Sequence, residues 1–570
     1  MKVAEYLFAR LRQLGIDSVH GVPGDYNLDL LDYVEPAGLL WVGNANELNA
    51  AYAADGYARI KGISAIITTF GVGELSAVNA IAGAYTERAA VVHIVGIPAR
   101  SSQDNRLLIH HTFNDGEYNR FATIHSHVTV AQTRLWDPRT SPEQIDEALR
   151  QCLIHSRPVY IEIPVDLVPA SVKADRLKQP IEPLYLEPNS EAKDALDQII
   201  AKIKEAKNPY ILVDGEIRPM DVIDEVQSII KSTNWPAFAT PFGKGLLDET
   251  VNNFHGIHMG SFDRPEVKSF TEKADLVLNF GPHQSSSNTY GYSNIPKSEI
   301  VVAFKDTQVQ VGKTVFRDVA AKYIIAQVAE FVGSTSGLQR YADYPSLPRD
   351  YKLSFSQVPA DKKIAQDQVW RLLANMIRPG DIVLGETGTA GYGVREMPLH
   401  PHNRLFTPVT WLSIGFMLPA TQGASLAQRE LIERSKYHGL KNGRTILFIG
   451  DGSFQMTVQE LATIIRLNLN VIIFLINNDG YTIERCIHGR KQGYNDVSPW
   501  RYLTAPKFFG ASEDTYLSVA STYGELEKIL NDDKLANGTG LRMVEIMMER
   551  EDAPKGPLLH YLETQIAEEK

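Results

Sequence analysis

Runs of apolar residues bounded by glycine and polar loops recur along this 570-residue chain, and they predict alternating strands and helices. The fullest case runs from Thr445 to Glu484. An apolar run, Ile446 to Ile449, predicts a buried strand that ends in Gly450-Asp451-Gly452. Val458, Leu461, Ile464 and Ile465 then recur at three- and four-residue steps, one face of a helix. Val471 to Ile476 predicts the next strand, which ends in Asn477-Asn478-Asp479-Gly480. The whole is a βαβ unit, whose parallel strands put their carboxyl ends on one edge of a sheet. Asp451 and Asn478 are therefore expected side by side.

The pattern repeats elsewhere. Val3, Leu7, Leu11 and Leu14 fall on one face of an N-terminal helix that Gly15 ends. Strands are expected at Ser18–Val22, Leu39–Val42, Ser64–Phe70 and Val91–Val95, with a helix from Glu47. Pro164, Pro169, Pro180, Pro183 and Pro188 mark a linker. A second set of strands follows at Tyr210–Val213, Ala237–Ala239, Leu276–Asn279 and Glu299–Phe304. The stretch from Gly337 to Pro359 reads as another linker. A helix around Trp370–Met376 opens the last region. Its strand Ile382–Leu384 runs into Gly385-Glu386-Thr387-Gly388-Thr389, and a late strand, Leu541–Met547, precedes a charged tail. The expected fold is α/β, with three doubly wound parallel-sheet domains over residues 1–180, 190–340 and 360–570.

Composition narrows the function. A net charge of −11 with no basic tract argues against nucleic acid. Two cysteines, Cys152 and Cys486, exclude a disulfide scaffold and a Cys-rich metal site, and fit a reducing compartment. No apolar run approaches a membrane span, and the first helix lacks the uninterrupted apolar region and cleavage site of a signal peptide. The expectation is a cytosolic protein with no membrane partner.

The candidate chemistry lies at loop ends. Asp451 offers a carboxylate oxygen, Asn478 an amide oxygen and the Gly480 region a backbone carbonyl. Such hard ligands suit Mg²⁺ and leave positions for water and phosphate. Gly452 and Ser453 open a helix whose free N–H groups point the same way, and Thr387 and Thr389 lie in a second loop able to receive phosphate oxygens. A lone Gly-Asp-Gly is more often a plain turn; the paired ends of a complete βαβ unit favour a metal-bridged diphosphate. Glu47 is an acid in Ala-rich helical text. Burial would raise its pKa, but an acid in a first helical turn also suits the helix dipole, and the residues leave both readings open. His110 and His111 are adjacent; in a strand they would face opposite ways, which argues against a simple metal pair and leaves a surface loop as the plainer reading.

The text GDGSFQMTVQE…INNDGYTIE resembles the thiamine diphosphate-dependent 2-oxo acid decarboxylases, among them the fungal pyruvate decarboxylases, and matching segments span nearly the whole chain. The resemblance implies thiamine diphosphate and Mg²⁺, with Asp451, Asn478 and Gly480 as metal ligands. It implies that Glu47 hydrogen-bonds the aminopyrimidine and so promotes loss of the thiazolium C2 proton. Asp25, His110, His111 and Glu484 would handle protons, Glu484 beside the substrate carboxylate. Ile414 would lie under the cofactor and force its V shape, the Leu412 carbonyl would meet its 4′-amino group, and Ser413 and Ile483 would complete the wall.

The implied reaction is non-oxidative decarboxylation of a 2-oxo acid through an ylide and an enamine, pyruvate to acetaldehyde first. A phenylpyruvate or indolepyruvate decarboxylase is the alternative. The His110-His111 and Glu484 set speaks against a carboligase such as acetolactate synthase, and intact Glu47, Asp451 and Asn478 against a non-catalytic assembly protein. In the family the cofactor lies between two subunits, so a homodimer is the minimum and a homotetramer is implied. Two positions depart from the pattern: Leu412 and Pro419 stand where relatives carry glycine, and Leu412 needs a backbone conformation that tolerates a Cβ. Gly391, Tyr392, Asn288 and Thr289 fall near the family's substrate wall. Gly215-Glu216 stand where many yeast relatives carry a cysteine, so cysteine-based substrate activation is not carried over.

Overall fold

Three sheets flanked by helices follow one another along the computed structural model, which describes residues 1–183, 186–335, 338, 341 and 344–569. The first sheet holds β1 (Ser18–Gly21), β2 (Leu40–Trp41), β3 (Ser64–Thr69), β4 (Val91–Ile97), β5 (Ala131–Arg134) and β6 (Val159–Pro164). Their order is β2-β1-β3-β4-β6-β5, and every pair is parallel.

The middle sheet holds β7 (Pro209–Val213), β8 (Ala237–Ala239), β9 (Phe254–Ile257), β10 (Leu276–Phe280), β11 (Val301–Lys305), β12 (Gln308–Val311) and β13 (Thr314–Arg317). The third holds β14 (Ile382–Gly385), β15 (Arg404–Phe406), β16 (Thr445–Gly450), β17 (Val471–Asn477), β18 (Tyr516–Ala520) and β19 (Leu541–Met547). It is all parallel, in the order β15-β14-β16-β17-β19-β18. Numbered within their own domains, the first and third sheets share one order, 2-1-3-4-6-5. Helices on both faces explain the unbroken apolar runs: Ile446–Ile449 and Val471–Ile476 are fully buried.

The α/β class is as expected, with one correction. The middle sheet is mixed, because β11, β12 and β13 form antiparallel pairs. The β12–β13 turn contains Gly312 at φ 60°, a conformation that a two-residue hairpin turn requires. The helix expected after Asp451 is also interrupted. It runs Asp451–Thr457, tightens at Val458–Glu460 and resumes at Leu461–Arg466. Thr457 leaves helical geometry (φ −137°), and its hydroxyl donates to the Gly415 carbonyl at 2.7 Å. The charged tail forms a helix, Pro557–Glu568, with proline in its first turn. Gly337, the start of the second expected linker, lies outside the described residues.

The first and third domains join through the helices Glu47–Lys61 and Met417–Glu433. A Cβ at Gly423 would lie 1.8 Å from the Ala53 carbonyl oxygen, and one at Gly56 2.2 Å from that of Ala420. Only glycine lets the two backbones touch. These pairings also make the helices antiparallel, so Glu47 lies about 18 Å along its helix from the point opposite Met417, at ~1.5 Å per residue.

Candidate active site

Strands β16 and β17 pair in register up to Gly450 and Ile476, which brings their carboxyl-end loops together. Asp451 opens the following helix and is 1% exposed. Its carboxylate accepts the Gly452 N–H at 2.7 Å and the Gly480 N–H at 3.0 Å. Burial pushes its pKa up to about 6, against the pull of those backbone donors. Asn478 meets the Thr482 hydroxyl at 2.8 Å, and its other amide atom lies 3.2 Å from both Asp451 Oδ1 and the Gly480 carbonyl oxygen. The single Thr482 hydroxyl proton goes to the Arg550 carbonyl at 2.8 Å. Thr482 therefore accepts from the Asn478 NH₂, and the amide oxygen turns toward Asp451 and Gly480. Three oxygens converge, from Asp451, Asn478 and Gly480. A hard dication satisfies that arrangement.

The neighbouring cavity wall is built from Thr387, Gly388, Thr389, Ile414, Gly452, Ser453, Ile483 and Glu484, among others. Thr387 Oγ1 is buried and has no hydrogen-bond partner among the described residues, as a hydroxyl that receives an anion would be. The Asp451–Thr457 helix begins here, with Gly452 and Ser453 in its first turn. The donors present thus fit a metal-bound diphosphate. The site lies at the carboxyl end of β14 and β16, where the strand order reverses. Ile414 is partly exposed, lines this cavity and joins no apolar cluster among the described residues, so core packing does not account for it. A second cavity of about 350 Å³ shares Thr387, Gly388 and Ile483 and adds Leu412, Gly391 and Tyr392.

Two acids that sequence reasoning gave no role hold these loops. Glu386 is fully buried and accepts the N–H groups of Thr387 (2.8 Å) and Met417 (2.7 Å); burial raises its pKa to about 7. Glu87, from the first domain, accepts the N–H groups of Val409 (2.9 Å), Thr410 (3.0 Å) and Trp411 (3.4 Å) and pairs with Arg59 at 3.0 Å. The available signal was a charge set among apolar residues, as in Thr86-Glu87-Arg88-Ala89-Ala90-Val91. Ser413 bonds the Tyr52 hydroxyl (2.7 Å) and accepts from Asn79 (3.0 Å). Leu412, gripped within this loop, has φ +55°, the left-handed conformation that glycine takes without strain. Pro419 sits in the first turn of the Met417–Glu433 helix, where proline is tolerated.

The first domain gathers its own set. Glu47 is the first residue of its helix, with Asn46 capping Asn49 N–H at 2.8 Å. It is half-buried against Gly73, and burial raises its pKa. His110 Nε2 hydrogen-bonds Asp25 Oδ2, and His111 Nε2 lies 3.7 Å from Asp25 Oδ1. The rings are 4.8 Å apart. The strand argument for divergent imidazoles fails: His110 and His111 lie in a turn, and φ +65° at His111 swings both rings to one carboxylate. Their ligand atoms lie within 4.8 Å of one another, so the exclusion of a metal pair does not stand either.

Neither cavity at the Asp451 edge is lined by Asp25, Glu47, His110 or His111; Glu484, exposed, lines the smaller one. Asn288 and Thr289 do not line either cavity. Asn288 is buried, donates to the Asp214 carboxylate (3.0 Å) and accepts the Phe242 N–H at 2.9 Å. At Gly215, an added Cβ would lie 2.1 Å from the Phe242 ring, so a cysteine there would require that ring to move.

Three family models match the chain. Residues 1–119 match the N-terminal TPP binding domain of thiamine pyrophosphate enzymes, 196–332 the central domain and 386–546 the C-terminal TPP binding domain. A pyruvate decarboxylase of Aspergillus parasiticus is 55% identical over 562 residues, 97% of this chain and 96% of that protein. Pyruvate decarboxylase isozyme 1 of Saccharomyces cerevisiae is 40% identical over 97% of this chain and 96% of its own length. The solved structure of a thiamine diphosphate-dependent 4-hydroxybenzoylformate decarboxylase from Rhodococcus jostii RHA1 covers 97% of this chain and all of its own, with TM-score 0.75 and 18% identity, and so shares the fold.

Proposed function

The chain belongs to the thiamine pyrophosphate enzyme family, and from that premise we propose that it decarboxylates a 2-oxo acid, pyruvate first, releasing acetaldehyde and carbon dioxide. The observation that carries this reading is the convergence of the Asp451, Asn478 and Gly480 oxygens beside the orphaned Thr387 hydroxyl. In this reading Asp451, Asn478 and the Gly480 carbonyl hold Mg²⁺. Thr387, Thr389 and the N–H groups of Gly452 and Ser453 receive the diphosphate. Ile414, Ile483, Ser413 and the Leu412 carbonyl shape the rest of the wall. Bound thiamine diphosphate supplies a nucleophilic carbon and a sink for the electron pair that carbon dioxide leaves behind. Glu47, whose pKa burial raises, is suited to share a proton with a ring nitrogen. Asp25 and His110, already hydrogen-bonded, can pass a proton between them, with His111 alongside. Glu484 lines the Asp451 cavity in the third domain.

The first-domain groups have to come from a second copy. Antiparallel packing holds Glu47 away from the Met417 end within one chain, and it lines neither cavity. Both edges also present apolar side chains to solvent: Leu108, Phe113 and Val72 in the first domain, and Met456, Ile487 and Trp411 in the third. A homodimer is therefore the minimum unit of this proposal, and a homotetramer in the cytosol completes it. Residues 1–180, 190–340 and 360–570 form its pyrimidine-binding, middle and diphosphate-binding domains. The roomy cavity beside Ile483 favours an aromatic 2-oxo acid as the second reading. Steady-state kinetics decide between them. We expect kcat/KM for pyruvate to exceed that for phenylpyruvate by at least about tenfold, or ~1.4 kcal/mol in the transition state. Equal or inverted values transfer the assignment to the aromatic acids.

A further inference from the structure

The larger cavity contains a charge that the proposed reaction does not use. Arg395 lines it together with Thr387, Leu412 and Ile483. The same side chain lines a further cavity of about 300 Å³, which shares Phe262, Tyr290 and Tyr392 with the first and lies against the middle domain. Arg395 is 7% exposed, yet among the described residues its Nε and Nη1 find no hydrogen-bond partner. Its guanidinium stands 4.6 Å over the Tyr392 ring, with the Tyr290 hydroxyl as its polar neighbour. Among the described residues, no carboxylate lies within 4.0 Å of it.

Most other buried guanidiniums meet a carboxylate, and Arg542, which meets none among the described residues, donates to the Leu535 (3.1 Å) and Gly538 (2.5 Å) carbonyls. Arg10 meets Asp146 at 2.8 Å, Arg59 meets Asp55 at 2.6 Å, and Arg444 is paired with Asp381. An arginine cannot shed its charge, so burying one without a counter-charge is costly. The surroundings deepen the imbalance. The 300 Å³ cavity is also lined by Arg264, Arg371 and Lys555, against two acids, Asp350 and Glu396, and Asp350 already contacts Lys244 at 3.2 Å. A small anion entering from the cavity would supply the missing partner. The planar fork of an arginine fits a carboxylate with two parallel hydrogen bonds, and aromatic walls suit the short carbon chain behind it.

We propose that Arg395 is the anchor of a carboxylate-binding site in the antechamber of the cleft. The carboxylate is either the far end of a 2-oxo diacid whose keto group reaches the reaction centre, or a separate small carboxylic acid. Only the first source rests on the function proposed above. The holoenzyme, loaded with thiamine diphosphate and Mg²⁺, tests both. For wild type, Arg395→Gln and Arg395→Lys, kcat/KM is measured for 2-oxoglutarate and for its apolar isostere 5-methyl-2-oxohexanoate. Propionate binding to each is measured by calorimetry. A tenfold or greater fall in the diacid-to-isostere ratio in Arg395→Gln, with a smaller fall in Arg395→Lys, assigns the site to the substrate's own far carboxylate. A tenfold weaker propionate affinity with an unchanged ratio assigns it to a separate anion. If both are unchanged in a variant that keeps the wild-type melting temperature, the proposal is overturned. Should Arg395→Gln fail to fold, Arg395→Lys decides by the same two readouts, because it keeps the charge and loses the fork. If wild type turns over no 2-oxo acid, the function proposed above fails, and propionate binding alone decides the Arg395 site.

Discussion

The first and third domains have the same strand order and different chemistry at the same edge. After β16 the chain reads Asp451-Gly452-Ser453; after β3 it reads Phe70-Gly71-Val72-Gly73-Glu74. Each loop opens a helix and each brings an acid. In the third domain the Asp451 carboxylate turns toward two further oxygens, from Asn478 and Gly480. In the first, Glu74 turns back on its own helix, where it accepts the Gly71 N–H at 2.8 Å and the Tyr160 hydroxyl at 2.7 Å. It is fully buried, and burial drives its pKa up to about 8. Topology therefore places an acid at this edge, and the atoms across from it decide its task. Donors make it a cap. Further oxygens beside it suit it to a cation.

The largest test removes the group that the first domain offers in place of a ligand. Glu47→Gln keeps the size and hydrogen-bonding reach of the side chain but cannot exchange a proton. Turnover should fall by ~10² to 10⁴, the usual range for acid–base assistance. Cofactor affinity should stay within about tenfold of wild type, since the Asp451 edge is untouched. Stopped-flow turnover with parallel calorimetry separates the two. Wild-type turnover would remove Glu47 from the mechanism.

Asp451→Ala attacks the other edge. It leaves two neutral oxygens where there were two neutral and one charged. Joint affinity for Mg²⁺ and thiamine diphosphate should drop by about two orders of magnitude or more, since even the outer partners of metal ligands are worth ~10- to 100-fold. Calorimetric titration reads this directly. Unchanged affinity would mean that the edge is an ordinary turn, like its counterpart after β3.

These contrasts show what the sequence could reveal. Continuous apolar runs such as Val471–Ile476 announce a strand buried on both faces, and their ends announce the site, because parallel strands share an edge. Gln308-Val309-Gln310-Val311 alternates as a half-buried strand does and marks β12, but four residues are easily passed over beside longer runs. The roles of Glu87 and Glu386 were out of reach, because their partners lie 322 and 31 positions away at Val409 and Met417. The meeting of His110 and His111 on Asp25 depends on one positive φ, which no residue type at position 111 signals. The break at Thr457 depends on a carbonyl 42 positions earlier.

A pH scan sharpens the comparison between the two acids. The Glu74 carboxyl titrates near 4.5 when unfolded and near 8 when folded. Between those values the folded state holds more protons than the unfolded one, so stability falls as pH rises. The contribution is fully present below pH 4.5 and lost by about pH 8. Glu74→Gln keeps an acceptor for the Gly71 N–H and an amide group against the Tyr160 hydroxyl, without the titration. Its melting temperature should fall less than that of wild type between pH 5 and 8. Parallel curves for the two proteins would show that Glu74 is ionised in the folded state after all.

The smallest effect is expected at Leu412, in the loop that the first domain grips. A leucine at φ +55° carries a strain of ~1 to 2 kcal/mol that glycine escapes. Glycine costs about 0.4 to 1 kcal/mol in return, through the greater freedom of the unfolded chain. It also gives up the contacts of a side chain that is only partly buried. The terms nearly cancel, so Leu412→Gly should leave stability within about 1 kcal/mol of wild type. A β-branched residue is worse than leucine at positive φ, so Leu412→Val should be the less stable variant. The reason to expect so little from glycine is that the backbone is held by others: Glu87 takes the N–H groups of Val409 to Trp411, and Tyr52 and Asn79 hold Ser413. Thermal melts of the two variants measure this. A loss well beyond 1 kcal/mol in Leu412→Gly would mean that the leucine side chain, rather than the first domain's grip, fixes the loop.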